Sequence, residues 1–101
     1  MSIGSLKDAD LSAANLVNAN LTGADLWRAS LVNADLPGVN LEDADLGFAN
    51  LQGANLRRAN LKDVSLYKAD LTGADLRGAI TKGAILCNTI MPDGSVIYSG
   101  C

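Results

Sequence analysis

The groups with which this 101-residue chain could do chemistry are two cysteines, Cys87 and Cys101, eleven Asp and Glu, and eight Lys and Arg; histidine is absent. Without an imidazole, no Ser-His or Cys-His nucleophile pair and no His-bearing metal site can be assembled. The two cysteines lack the C-x-x-C spacing of a zinc or redox motif. Carboxylates act as catalytic acids and bases when burial or a charged neighbour shifts their pKa. Asp10, Asp25, Asp35, Asp45, Asp70 and Asp75 instead stand at regular intervals that read as solvated, turn-forming positions. The glycines spell neither a Walker nor a dinucleotide-binding pattern. The expectation is a protein that is not an enzyme and has no cofactor and no metal.

The spacing of those aspartates belongs to a repeat that must position everything else. Leucine recurs every five residues from Leu6 to Leu76, fifteen times without a break, and two residues before each stands Ala, with Gly4, Val39 and Val64 as variants. Between them lies Asp, Asn or Ser. On an α-helix a step of five residues turns about 140° and scatters the leucines around the cylinder. On one long strand an odd period sends successive leucines to opposite faces. A short extended segment with Ala and Leu inward and Asp or Asn outward, followed by a two-residue corner, buries them together. Apolar residues make up 49% of the chain but aromatics only 4%, enough core for one domain built from a narrow, repetitive vocabulary.

The corners support this reading. A type II turn needs φ > 0 at its third residue, which Gly adopts freely and Asn or Asp tolerate. Of seventeen second-corner positions from Asp8 to Asn88, twelve are Gly, Asn or Asp, and Pro37 precedes Gly38. Ala13, Arg28, Phe48, Arg58 and Lys68 break the rule.

The unit Ala-(Asp/Asn)-Leu-x-x resembles the motif of the pentapeptide-repeat family over residues 4 to 91. The resemblance implies an all-β fold, a right-handed quadrilateral parallel β-helix in which four repeats make a coil and residue n stacks on n+20. This chain would wind about four coils, a rod on the order of 20 Å at the usual strand spacing. The domain reading is a solenoid over residues 1–91 with a capping tail over 92–101. On the n+20 rule one side gathers Trp27, Phe48 and Tyr67, with Arg28 and Lys68 among them, a candidate partner face because Trp and Arg favour binding hot spots. The corner holding Arg28, Phe48 and Lys68 has no Gly, so a turn without positive φ is expected there, and type II turns at Gly38, Gly53, Gly73 and Gly83.

Past Leu76 the pattern decays. Thr81 takes a leucine position, and the outward position becomes Ile80, Ile85 and Ile90. Met91-Pro92-Asp93-Gly94-Ser95 reads as a turn and Val96-Ile97-Tyr98 as a strand that folds back to cover those isoleucines. A three-residue loop pairs Met91 with Ser95 and places Cys87 opposite Ser99. A Cys87–Cys101 bridge then needs a bulge or bend, and a reducing cytosol favours free thiols over it. Residues 1–5 are too short and too polar to cap the other end.

Net charge is −3, but residues 1–50 hold two basic against seven acidic side chains and residues 51–101 six against four, so the solenoid ends could attract one another in self-association. This balance does not argue for nucleic acid, and no leader or membrane span is visible, which places the protein in the cytoplasm. The expected function is a non-catalytic structural or protein-interaction module with an unidentified protein partner. The alternative implied by the resemblance is a DNA-mimicking binder of DNA gyrase or topoisomerase. Those relatives are longer and more acidic, whereas here Arg57, Arg58 and Arg77 cluster on one side.

Overall fold

The units in the middle of the rod close their backbone in a shared way. In Ala49-Asn50-Leu51-Gln52-Gly53, the Ala49 N–H donates to Leu46 O across the corner at 3.0 Å, Asn50 N–H to Ala29 O at 3.0 Å, Leu51 N–H to Asp70 O at 2.8 Å and Gly53 N–H to Thr72 O at 3.0 Å. The remaining donor, Gln52 N–H, is held by the Asn50 side-chain Oδ1 at 3.1 Å. All five donors are satisfied, as a coil with buried backbone requires. The side-chain bond repeats at Asn20, Asp25, Asn40, Asp45, Asn55, Asn60, Asp70 and Asp75. The outward Asp or Asn thus completes the backbone as well as facing solvent. Pro37 and Pro92 fall where this donor would be, two residues after Asp35 and Ile90. Pro has no N–H to satisfy.

The computed structural model describes residues 5–101, an all-β rod of 33 × 24 × 22 Å with no helix among the described residues. Parallel bridges join residues twenty apart, from Asp10↔Ser30 to Asp70↔Ile90, so four units make one coil and the cross-section has four sides. Leucines from Leu26 to Leu71 are 0–2% exposed, interleaved with equally buried Ala and with Val39 and Val64. The one buried polar residue among the described residues is Thr89, whose Oγ1 donates to Leu66 O at 2.6 Å. The expectation that residues 1–5 leave the first coil uncapped falls largely on residues 1–4, outside those described.

At the corners the structure corrects the sequence reading. Arg28, Phe48 and Lys68 have φ of 59°, 58° and 55°, in the same left-handed region as Gly38 at 69° and Gly53 at 71°. All seventeen second-corner residues share it. The first-corner residues do not, which with the Leu-to-Ala bond makes these type II turns. Stacking is the cause. From Asp8 to Gly73, each second-corner N–H donates to the first-corner carbonyl of the next coil, as in Arg28 to Gly47 O at 2.9 Å and Phe48 to Tyr67 O at 2.7 Å. One differing corner would break bonds on both neighbouring levels. Those bonds outweigh the roughly 1–2 kcal/mol that a side chain costs in this conformation. Ala13, at φ 60° and exposed, isolates that cost. Ala13→Gly is expected to raise stability by about 0.5 kcal/mol, since Gly also loses more entropy on folding, and Ala13→Val to lower it; thermal melts of the pair check the sign.

Beyond the repeats, β1 (Leu86–Ile90) stacks on the preceding coil and pairs antiparallel with β2 (Val96–Ser99). Met91 N–H donates to Ser95 O at 2.7 Å, closing the loop between them. A bulge between Cys87 and Thr89 shifts the register, so Cys87 faces Tyr98 and not Ser99. Gly100, at φ 87°, bends the chain back close to Ile85, and Cys87 and Cys101 form a disulfide with a Cα separation of 4.9 Å. The expected free thiols are therefore corrected. Compartment chemistry was the basis for expecting them, whereas bulge and bend bring the two Cα atoms within bonding range. The hairpin lies along one side of the last coil only. Ile80 stays 54% exposed and Ile85 39%, so the expected burial of these residues does not occur.

Candidate interaction surface

The side that starts at Leu26, Leu46 and Leu66 carries a continuous aromatic column. Trp27, Gly47 and Tyr67 occupy the first corner position on successive coils, and Arg28, Phe48 and Lys68 the second. Because stacked corners sit one strand spacing apart, bulky rings on adjacent levels must meet. Trp27 and Phe48 do so edge-on with centroids 4.8 Å apart at 65°, and Phe48 and Tyr67 at 5.5 Å and 84°. Such pairs add about 0.5–1.5 kcal/mol each beyond area burial. Lys68 Nζ completes the column, 5.6 Å from the Phe48 centroid and 5.5 Å from that of Tyr67.

Of the five residues singled out from sequence, Trp27, Phe48, Tyr67 and Lys68 come together. Arg28 turns toward the preceding coil and pairs with Asp8, Nε to Oδ1 at 2.8 Å and Nη2 to Oδ2 at 3.1 Å, both side chains more than half exposed. This fork fixes Arg28 more than it stabilises the fold, since exposed pairs contribute little. Phe48 is 41% exposed although ringed by aromatics on either level. Tyr98 on β2, paired with Cys87, adds another exposed ring at the far end.

Sequence reasoning missed Gly47. The Trp27 ring lies across it so closely that a Cβ would overlap Cζ3 and Cε3, and Gly47 is buried beneath the indole. Its signal was available: a Gly at a first-corner position, where the turn does not need one, marks a close approach. The arrangement offers a flat, preorganised apolar strip with a cation at its edge. It contains no nucleophile paired with a base.

A family model described as "Pentapeptide repeats" matches residues 5–43, 40–78 and 69–92, with eight copies. Among solved structures, HetL, a pentapeptide repeat protein involved in heterocyst differentiation regulation from the cyanobacterium Nostoc sp. strain PCC 7120, is 39% identical with a TM-score of 0.58, over 92% of this chain and 53% of that one. Another Nostoc PCC 7120 pentapeptide repeat protein is 43% identical with a TM-score of 0.73, over 74% of this chain and 62% of that one. QnrB1, a plasmid-mediated fluoroquinolone resistance protein, is 27% identical with a TM-score of 0.67, over 74% of this chain and 36% of that one. This chain thus spans about half to three fifths of the length of the two Nostoc proteins. These relatives are right-handed quadrilateral β-helices, the architecture described above. No curated protein matches the sequence.

Proposed function

This chain belongs to the pentapeptide repeat family, and we propose that it is a non-catalytic protein-interaction module whose docking strip is the corner of Trp27, Phe48, Tyr67 and Lys68. One observation carries the reading: every aromatic of the repeat region stacks on a single corner of a rigid rod, with Phe48 left 41% exposed. Preorganised aromatics lose little entropy on docking, and partners recognise such anchors disproportionately. Lys68 at the edge favours a partner segment with apolar side chains flanked by carboxylates. Phe48→Gly removes the central ring and relieves a positive φ, so it leaves the fold intact. Cross-linking from native extract is expected to capture a protein whose affinity falls at least thirtyfold with Phe48→Gly and falls again with Lys68→Glu. A partner bound equally by wild type and both variants would overturn the strip.

A second reading is the one that the family resemblance implies, a DNA-mimicking binder of DNA gyrase, and the likeness to QnrB1, a fluoroquinolone resistance protein, keeps it in play. Against it stand the shared 36% of QnrB1's length and a positively charged second half. A supercoiling assay separates the two readings. No change in gyrase activity is expected at micromolar protein, and protection or inhibition would favour the second reading.

A further inference from the structure

Diagonally across the rod from the aromatic column lies a corner of different chemistry. Pro37, Arg57 and Arg77 hold its first position on successive coils, and Gly38, Arg58 and Gly78 its second. Pro37, Asn55, Arg57, Arg58 and Arg77 line an open cleft of about 400 Å³. Three guanidinium groups share this concave surface, and Asp75 is the carboxylate that answers them. Arg77 grips it, Nε to Oδ1 at 3.0 Å and Nη2 to Oδ2 at 2.7 Å, and these bonds hold the Asp75 carboxyl down at about 2. Arg57 Nε reaches the same carboxylate only at 3.7 Å. Arg58 forms no ion pair among the described residues.

Two details show that this surplus of charge is built in. Asn15, Asp35, Asn55 and Asp75 stack in one outward column, and the level that lines the cleft between the two carboxylates is an amide. Asn55 Oδ1 accepts the Arg57 N–H at 3.2 Å, as a carboxylate would, while its Nδ2 donates to Asp35 at 3.3 Å. The backbone task is done without placing a second negative charge in the cleft. Arg58 sits at φ 58°, where Gly38 and Gly78 fill the same column without strain. Its stem lies over Gly78, with Cγ 3.1 Å from where a Cβ would stand. The stacking ladder sets this φ at Arg58 as at every other second corner, and it holds the unpaired side chain in place over Gly78 at the edge of the cleft.

We infer that the cleft of Arg57, Arg58 and Arg77 binds a phosphate monoester dianion. Guanidinium forks match phosphate oxygens in pairs, and Arg57 and Arg58 supply the charge that Asp75 leaves uncompensated. The cleft is larger than a bare phosphate, which leaves room for the esterified group. This site is independent of the aromatic strip on the opposite corner, and the two fail separately.

Amide NMR titration at constant ionic strength tests it, with inorganic phosphate and glycerol 3-phosphate as probes and chloride as the control. Saturable shifts confined to Arg57, Arg58, Arg77 and Asn55 are expected with both phosphates, tighter for the ester. Arg58→Gly removes a cation while relieving the backbone, and Asn55→Asp keeps the backbone bond while adding a charge. Each should weaken binding at least tenfold, and Phe48→Gly should leave it unchanged. The inference is overturned if chloride produces the same shifts, if both variants bind like wild type, or if inorganic phosphate binds as tightly as the ester. It is also overturned if a short DNA duplex binds more tightly than the ester and loses that affinity with Arg58→Gly, which would reassign the cleft to a nucleic-acid backbone.

Discussion

Leu46→Asp is expected to abolish folding: no cooperative thermal transition, and a spectrum without the β-helical signal at any temperature. Leu46 is completely buried, its backbone N–H bound to Ser65 O at 2.7 Å and its column continued by the buried Leu26 and Leu66. Truncating a buried leucine alone costs about 2–5 kcal/mol. The carboxylate adds a desolvation penalty of several kcal/mol, with no partner to offset it. Thr89 is the only buried polar side chain among the described residues, and its hydroxyl is already committed to Leu66 O. The sum meets or exceeds the roughly 5–15 kcal/mol that holds a domain together. Leu46→Met, close in volume, should cost under about 1.5 kcal/mol and melt cooperatively. A soluble, cooperatively melting Leu46→Asp protein would mean that the leucine column does not face the core.

What made this fold legible was period, and what stayed hidden was contact between levels. Leu51 and Ala54 could be placed inward from spacing alone, because no regular element other than a coil of short strands buries leucines five apart. Asn50 could be placed outward for the same reason. Its bond to Gln52 N–H could not be read, since an outward Asn serves a solvated face equally well. The two prolines carried that information, both standing where the bonded N–H would be. Phe48 shows the opposite failure: propensity correctly ranks it a poor residue for positive φ, and the ladder on both sides overrules propensity. The aromatic residues were assigned to one corner by the n+20 rule, yet the edge-on contacts and the burial of Gly47 arise from side-chain directions that spacing does not specify. Likewise Cys87 and Cys101 were recognised as a possible pair, but a bulge decides which residue Cys87 faces. The solenoid gives each corner its own column of side chains at fixed height, so aromatic and arginine surfaces coexist on one small rod without sharing a residue.

Removing residues 92–101 is expected to lower the melting temperature by about 10–20 °C and to promote self-association. The tail supplies β2, which pairs with the outer edge of β1 through Leu86↔Ser99, Cys87↔Tyr98, Thr89↔Ile97 and Ile90↔Val96. It also supplies the bridge from Cys101 to Cys87, fourteen residues apart in sequence. A loop of that size is worth about 3 kcal/mol in the chain-entropy model, and each kcal/mol moves the midpoint of a domain this small by about 4–8 °C. Without the tail, β1 still rests on the coil beneath it, since Lys68 N–H donates to Cys87 O at 2.9 Å and Leu71 N–H to Ile90 O at 2.8 Å. Its other edge, however, becomes a row of unpaired groups beside the already exposed Ile80 and Ile85. Such an edge pairs readily with another chain. Cys101→Ser separates the contributions, because it removes the bridge and keeps the strand. The expected order of stability is wild type, then Cys101→Ser, then the truncated chain. Only the last should sediment with a concentration-dependent coefficient. If Cys101→Ser and the truncated chain melt together and both stay monomeric, the bridge alone accounts for the tail, and β2 contributes nothing to closing that side of the last coil.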